Sequence, residues 1–189
     1  MQTKASVIQV VGYRNSGKTT IICRLVSKLT EEGLCVRTVK HDAHRFEIDH
    51  SGKDTWKHRM AGAETVAITS REQTTVMRRI YTPLDELLRE MGDLDVVHVE
   101  GFKFANYSKI VLVRTYDHVP LIEKTDDILA LVSWIPLPET DVTVFHKDDF
   151  TGIYTRLFNF VTTGSVTRVT IGKGPGNVFH TDQRGSGLV

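Results

Sequence analysis

The chain has 189 residues, 40% of them hydrophobic, and a formal net charge of +1 from 24 basic and 23 acidic side chains. That length supports one substantial core, and so even a balance advertises neither nucleic acid nor an acidic membrane surface, so any anion site must be local. No apolar run approaches the ~18 residues of a membrane span, the polar start MQTKAS is unlike a signal peptide, and Cys23 and Cys35 show no paired metal spacing; a cytoplasmic protein with reduced thiols is expected.

Residues 6–11, SVIQVV, form a short apolar run suited to a buried parallel strand. Directly after it, Gly12 and Gly17 bracket four residues and are followed by Lys18 and Thr19. This spacing lets successive backbone N–H groups curl around a phosphate, and glycine keeps the turn free of a Cβ. Lys18 would neutralise the outer phosphates, and the Thr19 hydroxyl would ligate a magnesium ion bridging them. From Lys18, apolar residues recur at Ile21, Ile22, Leu25, Val26 and Leu29, which predicts a helix closed by Gly33. Its positive end points at the phosphate site. Residues 34–40, LCVRTVK, read as a second strand, completing a right-handed β-α-β unit with Lys40, His41 and Asp42 at the same carboxyl rim as the loop.

Residues 40–63 hold His41, His44, His50 and His58 among Asp42, Glu47, Asp49 and Asp54. Three readings stay open. A zinc or nickel site would use the imidazoles and carboxylates, with Asp54 and His58 sharing a helix face, although the spacing matches no standard ligand set. A solvated loop and short helix would pack Trp56 and Met60 inward and end at Gly62. A switch or reception segment would place Asp42 or Asp49 near magnesium, with Lys53 and the histidines receiving an anion or a partner.

Residues 64–70 and 74–80 read as a hairpin. Thr82 as N-cap and Pro83 at the first turn start a helix with Leu84, Leu87 and Leu88 on its buried face, ended by Gly92. Residues 93–101, DLDVVHVEG, predict a strand with Glu100 at its carboxyl end, the acid needed to complete the magnesium shell begun by Thr19. His98 within it is expected to be a hydrogen-bonded core residue, and Asp95 to cap or face solvent. Residues 109–114 and 128–133 supply two more strands, 141–145 an edge strand, and 148–161 a helix with Asp148 or Asp149 near its start. Beyond 161, VTRVTI could form a strand, while GKGPGN and QRGSG read as flexible. The expected fold is α/β, a P-loop NTPase-like, mostly parallel sheet flanked by helices, with an additional β-hairpin. The expected organisation is a nucleotide-binding domain over 1–161 and a weakly structured tail over 162–189.

The combination of GYRNSGKTT, the segment KHDAHRFEIDHSGKD with its later AGA, and VEGFK followed by KIVLVR resembles the MobB family, the P-loop proteins of molybdopterin guanine dinucleotide biosynthesis, over residues 5–161. The resemblance implies GTP binding with magnesium, at most a slow GTPase, and a homodimer built by extended β-structure. It also implies association with the guanylyltransferase that joins GMP to molybdopterin, with other molybdenum cofactor proteins as further partners and molybdopterin as a further ligand. Carried over by position, Gly12, Asn15, Ser16, Gly17, Lys18, Thr19 and Thr20 fall in the nucleotide loop, and Glu100 is the acid of VEGFK. His41, Asp49, Gly52, Lys53 and Asp54 fall in the signature segment, and Asp42, Asp49 and Glu100 are the catalytic candidates. The Asn-Lys-x-Asp box that reads guanine in many GTPases is absent. Its nearest relative, EKTD at 123–126, precedes a strand instead of following one, and Trp134 follows ILALVS where the family pattern can carry an acid. The alternative to an accessory GTP-binding protein is a metallochaperone-type GTPase using the histidines; a third class, a small-molecule P-loop kinase, would require phosphate transfer to an acceptor.

Overall fold

A computed structural model describes residues 4–42, 46–92, 94–103, 105–163 and 168–170. Strand β1 (Lys4–Val11) lies inside the sheet, buried on both faces, which is why it reads as an almost unbroken apolar run. Ile8 and Val10 point to one core, where Leu25 and Leu29 of helix α1 (Lys18–Glu31) meet Ile153 and Leu157 of helix α5 (Phe150–Thr163). Val7 points the other way, to Leu84 and Leu88 of helix α3 (Leu84–Glu90). Val11 joins a third cluster around Leu121 of the short helix α4 (Pro120–Glu123). Each fully buried leucine contributes about 1.5–3 kcal/mol, so α1 and α5 are fixed on one face by the periodicity that predicts them.

The strands β2 (Val36–Lys40), β5 (Val96–Glu100), β6 (Ser108–Val113), β7 (Ile128–Ser133) and β8 (Val144–His146) join β1 in the order β2-β5-β1-β6-β7-β8, every neighbouring pair parallel. The register sets Val10 beside Glu100 and Lys40 beside Glu100, so the carboxyl ends of β1, β2 and β5 converge. A short strand β9 (Arg168–Thr170) runs antiparallel to the first residues of β1, while the remaining tail, including GKGPGN, lies outside the described residues. Helix α5 continues two residues past the boundary expected at 161, and Asp149 caps it by accepting a bond from the Gly152 amide at 2.9 Å.

The hairpin is present as β3 (Thr65–Thr69) and β4 (Thr74–Arg78), a separate two-stranded sheet. Arg78 ties it to α3 by two bonds to Glu90, at 2.7 and 2.9 Å. Three expectations need correction. Pro83, not Thr82, is the N-cap of α3, with no side-chain capping bond: its φ of −58° suits a helix, but its ψ of 151° is extended, so the helix begins one residue later than expected. Met60 of helix α2 (Asp54–Met60) is 65% exposed, since α2 packs only one narrow side. His98 is fully buried as expected, yet neither ring nitrogen has a hydrogen-bond partner among the described residues. No helix among the described residues is long and apolar enough to cross a membrane.

Candidate functional site

From Val11 the chain turns through residues 12–17 into α1. Asn15 and Gly17 take φ of +59° and +89°, and the Ser16 amide donates to the Tyr13 carbonyl at 3.3 Å, so the segment curls on itself. Gly12 is required by contact: a Cβ there would lie 2.4 Å from the Ser16 hydroxyl and 3.3 Å from Leu112 Cβ. Gly17 is required twice, by its positive φ and because a Cβ would come within 3.1 and 3.2 Å of the Trp134 ring. The loop therefore ends on the unpaired amides and positive pole of a 14-residue helix, a ready anion site.

A cavity of about 530 Å³ opens over the loop, in the size range of small-molecule sites. Asn15 to Thr20 form its floor, and four strand ends wall it: Lys40 on β2, Glu100 on β5, Arg114 after β6 and Trp134 after β7. The Lys18 ammonium donates to the carbonyls of Gly12 and Tyr13 at 3.1 and 2.7 Å. Burial lowers its pKa, as do neighbouring Lys103 and Lys40, and Glu100 opposes them. The Thr19 hydroxyl donates to a Glu100 oxygen at 3.2 Å, and Lys40 lies 3.7 Å from the other oxygen. Two residues 81 positions apart in sequence thus offer an all-oxygen donor pair, the chemistry that suits Mg²⁺. Arg114 donates to the Asn15 carbonyl, bracing the loop from β6.

The turn after Glu100 is held as firmly as the loop. Gln9, buried on β1, donates to the carbonyls of Gly101 and Phe102 at 3.2 and 2.7 Å, stabilising positive φ of +92° and +49° there. Gly101 lets β2 approach, since a Cβ would stand 3.1 Å from both Cβ and O of His41. His41 in turn donates its amide to the Glu100 carbonyl at 2.9 Å and packs its ring on Phe102, centroids 4.6 Å apart. The stretches KHD and VEGFK are therefore one packed unit, and His41 faces Phe102, not the cavity. On the loop's outer side Tyr13 lies between the Lys103 ammonium, 4.7 Å from its ring centre, and the His118 ring at 4.8 Å.

The rest of the 40–63 segment is organised around itself. Asp49, its side chain only 7% exposed, accepts bonds from Thr55 at 3.0 Å and Arg59 at 3.2 Å and from the His50 amide at 3.0 Å, which fastens the approach to α2. Lys53 starts α2, and Asp54 pairs with Lys57 at 3.0 Å, three residues on. Asp42 is exposed just beyond β2. No group of three or more His, Cys, Asp or Glu capable of holding a metal occurs among the described residues, and His44 lies outside them. Arg114 was not expected in the cavity, and Trp134 was noted only as standing where the family pattern can carry an acid. Both immediately follow apolar strands, and position at a parallel sheet's carboxyl rim is the signal that could have found them.

A glycine loop between a central strand and a helix, faced by an acid on the adjacent parallel strand, defines a P-loop NTPase-like α/β protein. Residues 7–134 match the family described as MobB, Molybdopterin guanine dinucleotide synthesis protein B. The chain belongs to the MobB family. It is 33% identical over 148 residues to the Haemophilus influenzae molybdopterin-guanine dinucleotide biosynthesis adapter protein, covering 76% of this chain and 83% of that one. The Escherichia coli adapter protein is 29% identical over 164 residues, covering 80% and 91%. Among solved structures, the MobB homologue of Bacillus stearothermophilus superposes with a TM-score of 0.68 at 31% identity, covering 83% of this chain and 98% of its own. Bacillus subtilis MobB gives 0.69 at 30%, covering 81% and 96%. These relatives favour the adapter reading and lend nothing to the metallochaperone alternative.

Proposed function

We propose that this protein is a GTP-binding accessory factor of molybdenum cofactor biosynthesis that assists the attachment of GMP to molybdopterin. The observation that carries it is the 3.2 Å approach of Thr19 to Glu100 across the mouth of a glycine loop in a MobB-family chain. In this reading the amides of residues 15–20 and the Lys18 ammonium bind the phosphates, and Thr19 and Glu100 hold Mg²⁺, which supplies charge neutralisation. Lys40, 3.7 Å from the carboxylate, holds Glu100 in orientation. His41 positions the Glu100 turn through Phe102, the Asp49 network presents Lys53 to a partner or to molybdopterin, and Asp42, exposed just beyond β2, faces the same ligands. Hydrolysis is slow or partner-stimulated. The unit that does this is residues 1–161, as a cytoplasmic homodimer paired through the hairpin, whose exposed Ile68 and Val76 are 53% and 38% accessible.

Analytical ultracentrifugation with a purified molybdenum cofactor guanylyltransferase tests this. The chain alone should sediment at twice its 21.3 kDa mass, and adding the transferase with GTP and Mg²⁺ should give a heavier complex. No complex with or without nucleotide would contradict the accessory role, and a monomer would contradict the dimer.

A further inference from the structure

The cavity over the loop crosses the sheet, and its two ends differ in chemistry. At the β5 end the Thr19 hydroxyl and the Glu100 carboxylate form the oxygen pair suited to a metal, so the terminal phosphates of a nucleotide belong there. Lys18 and the loop amides occupy the middle. Beyond β5 the lining holds only Lys40 on β2, whereas on the other side the cavity runs on to β6 and β7, where Arg114 and Trp134 form a wall suited to the nucleoside. From β5 to β7 is three strand spacings, roughly 14 Å at ~4.8 Å each, comparable with the reach of an extended nucleoside triphosphate.

Trp134 is built into that far end. Its amide donates to the Val113 carbonyl at 3.0 Å, fixing it on the rim beyond β7. The benzo edge of the indole rests on Gly17, with Cη2 and Cζ2 only 3.1 and 3.2 Å from where a Cβ would be. The side chain is half-buried, packed against the α1 core and lining the cavity at once. An indole offers an aromatic face and one N–H donor; it has no acceptor for the N–H groups on guanine's pairing edge.

We propose that the Trp134 indole is the platform on which the purine of the nucleotide stacks, supplying affinity without telling guanine from adenine. Stacking needs only a π face, which every base has. The inference rests on the reading of this cavity as a nucleotide site and deepens it by assigning the base end.

Titration calorimetry with GTP, ATP and inorganic tripolyphosphate, each with Mg²⁺, separates the two. Trp134→Ala should weaken GTP and ATP by the same factor, at least about 5-fold, and leave tripolyphosphate affinity unchanged, while Trp134→Phe restores most of the loss. Unchanged GTP affinity overturns the proposal. So does an equal loss for tripolyphosphate, which would make the indole a prop for the loop, or a loss confined to GTP. If Trp134→Ala does not fold, Trp56→Phe leaves Trp134 as the only tryptophan, since the chain has 2. Its fluorescence should then be quenched by GTP and ATP and untouched by tripolyphosphate; no quenching by either nucleotide overturns the platform. Failure of the wild type to bind any of the three ligands would instead remove the nucleotide site itself.

Discussion

The buried imidazole of His98 ties stability to pH in a way that can be worked out in advance. It lies in the middle of β5, in register with Ile8 on one side and Thr38 on the other, and burial depresses its pKa from 6.5 to about 4. Above pH 6.5 both folded and unfolded chains carry it neutral, and its contribution is fully present. As pH falls from 6.5 to 4 the unfolded chain takes up a proton that the folded chain refuses, so stability falls with pH. The gap of 2.5 pK units at 1.36 kcal/mol each, less the half-protonation of the folded state at pH 4, gives a loss of about 3 kcal/mol at that pH. Below pH 4 the loss levels off. His98→Leu removes the titrating group and two buried nitrogens that have no partner among the described residues, at similar volume, so it should cost little at pH 7. Urea unfolding followed by circular dichroism from pH 8 to 4 should show the two proteins in parallel at neutral pH, with the wild type losing about 3 kcal/mol more by pH 4. Curves that stay parallel down to pH 4 would refute the reasoning.

Two further outcomes come from the loop itself. Glu100→Gln keeps the shape but loses the charge facing Thr19 and Lys40, so GTP should still bind while the gain in affinity on adding Mg²⁺ shrinks; identical magnesium titrations for both proteins would rule out that role. Gly17→Ala forces a Cβ onto a φ of +89° and towards the Trp134 ring, which should cost about 1–3 kcal/mol by thermal or urea unfolding and abolish measurable GTP binding. A variant as stable and as competent as the wild type would mean the loop has room that this geometry denies it.

The local elements were legible because each is specified by its own residues. The stripe Ile21, Leu25, Leu29 shares one face only as a helix, and SVIQVV, too short for a helix of its own and ending at the glycine loop, suits a strand buried on both faces. The nearness of Thr19 to Glu100 was legible through the chemistry expected of the loop, whose hydroxyl would leave a magnesium shell incomplete. What escaped depends on tertiary packing. Sequence alone gives no means to see that Met60 stays exposed, that His98 finds no hydrogen-bond partner among the described residues, or that Asp49 closes on Arg59 ten residues later. Arg114 and Trp134 join the cavity because strand order sets β6 beside β1 and β7 beside β6, and that order is decided by the whole sheet. The three readings of residues 40–63 differed for the same reason: their charged side chains partner one another, and such pairs leave no periodic trace.

The most direct test of the account is calorimetric titration of GTP with Mg²⁺ into wild-type protein and Lys18→Ala. The ammonium that bonds the Gly12 and Tyr13 carbonyls is a cation that the loop itself holds in place, and charge-assisted contacts to phosphate are among the strongest a site can make. The wild type should bind one GTP per chain and the variant should give no measurable heat of binding. Equal affinity in the two proteins, or no binding by the wild type to any purine triphosphate, would contradict the central claim.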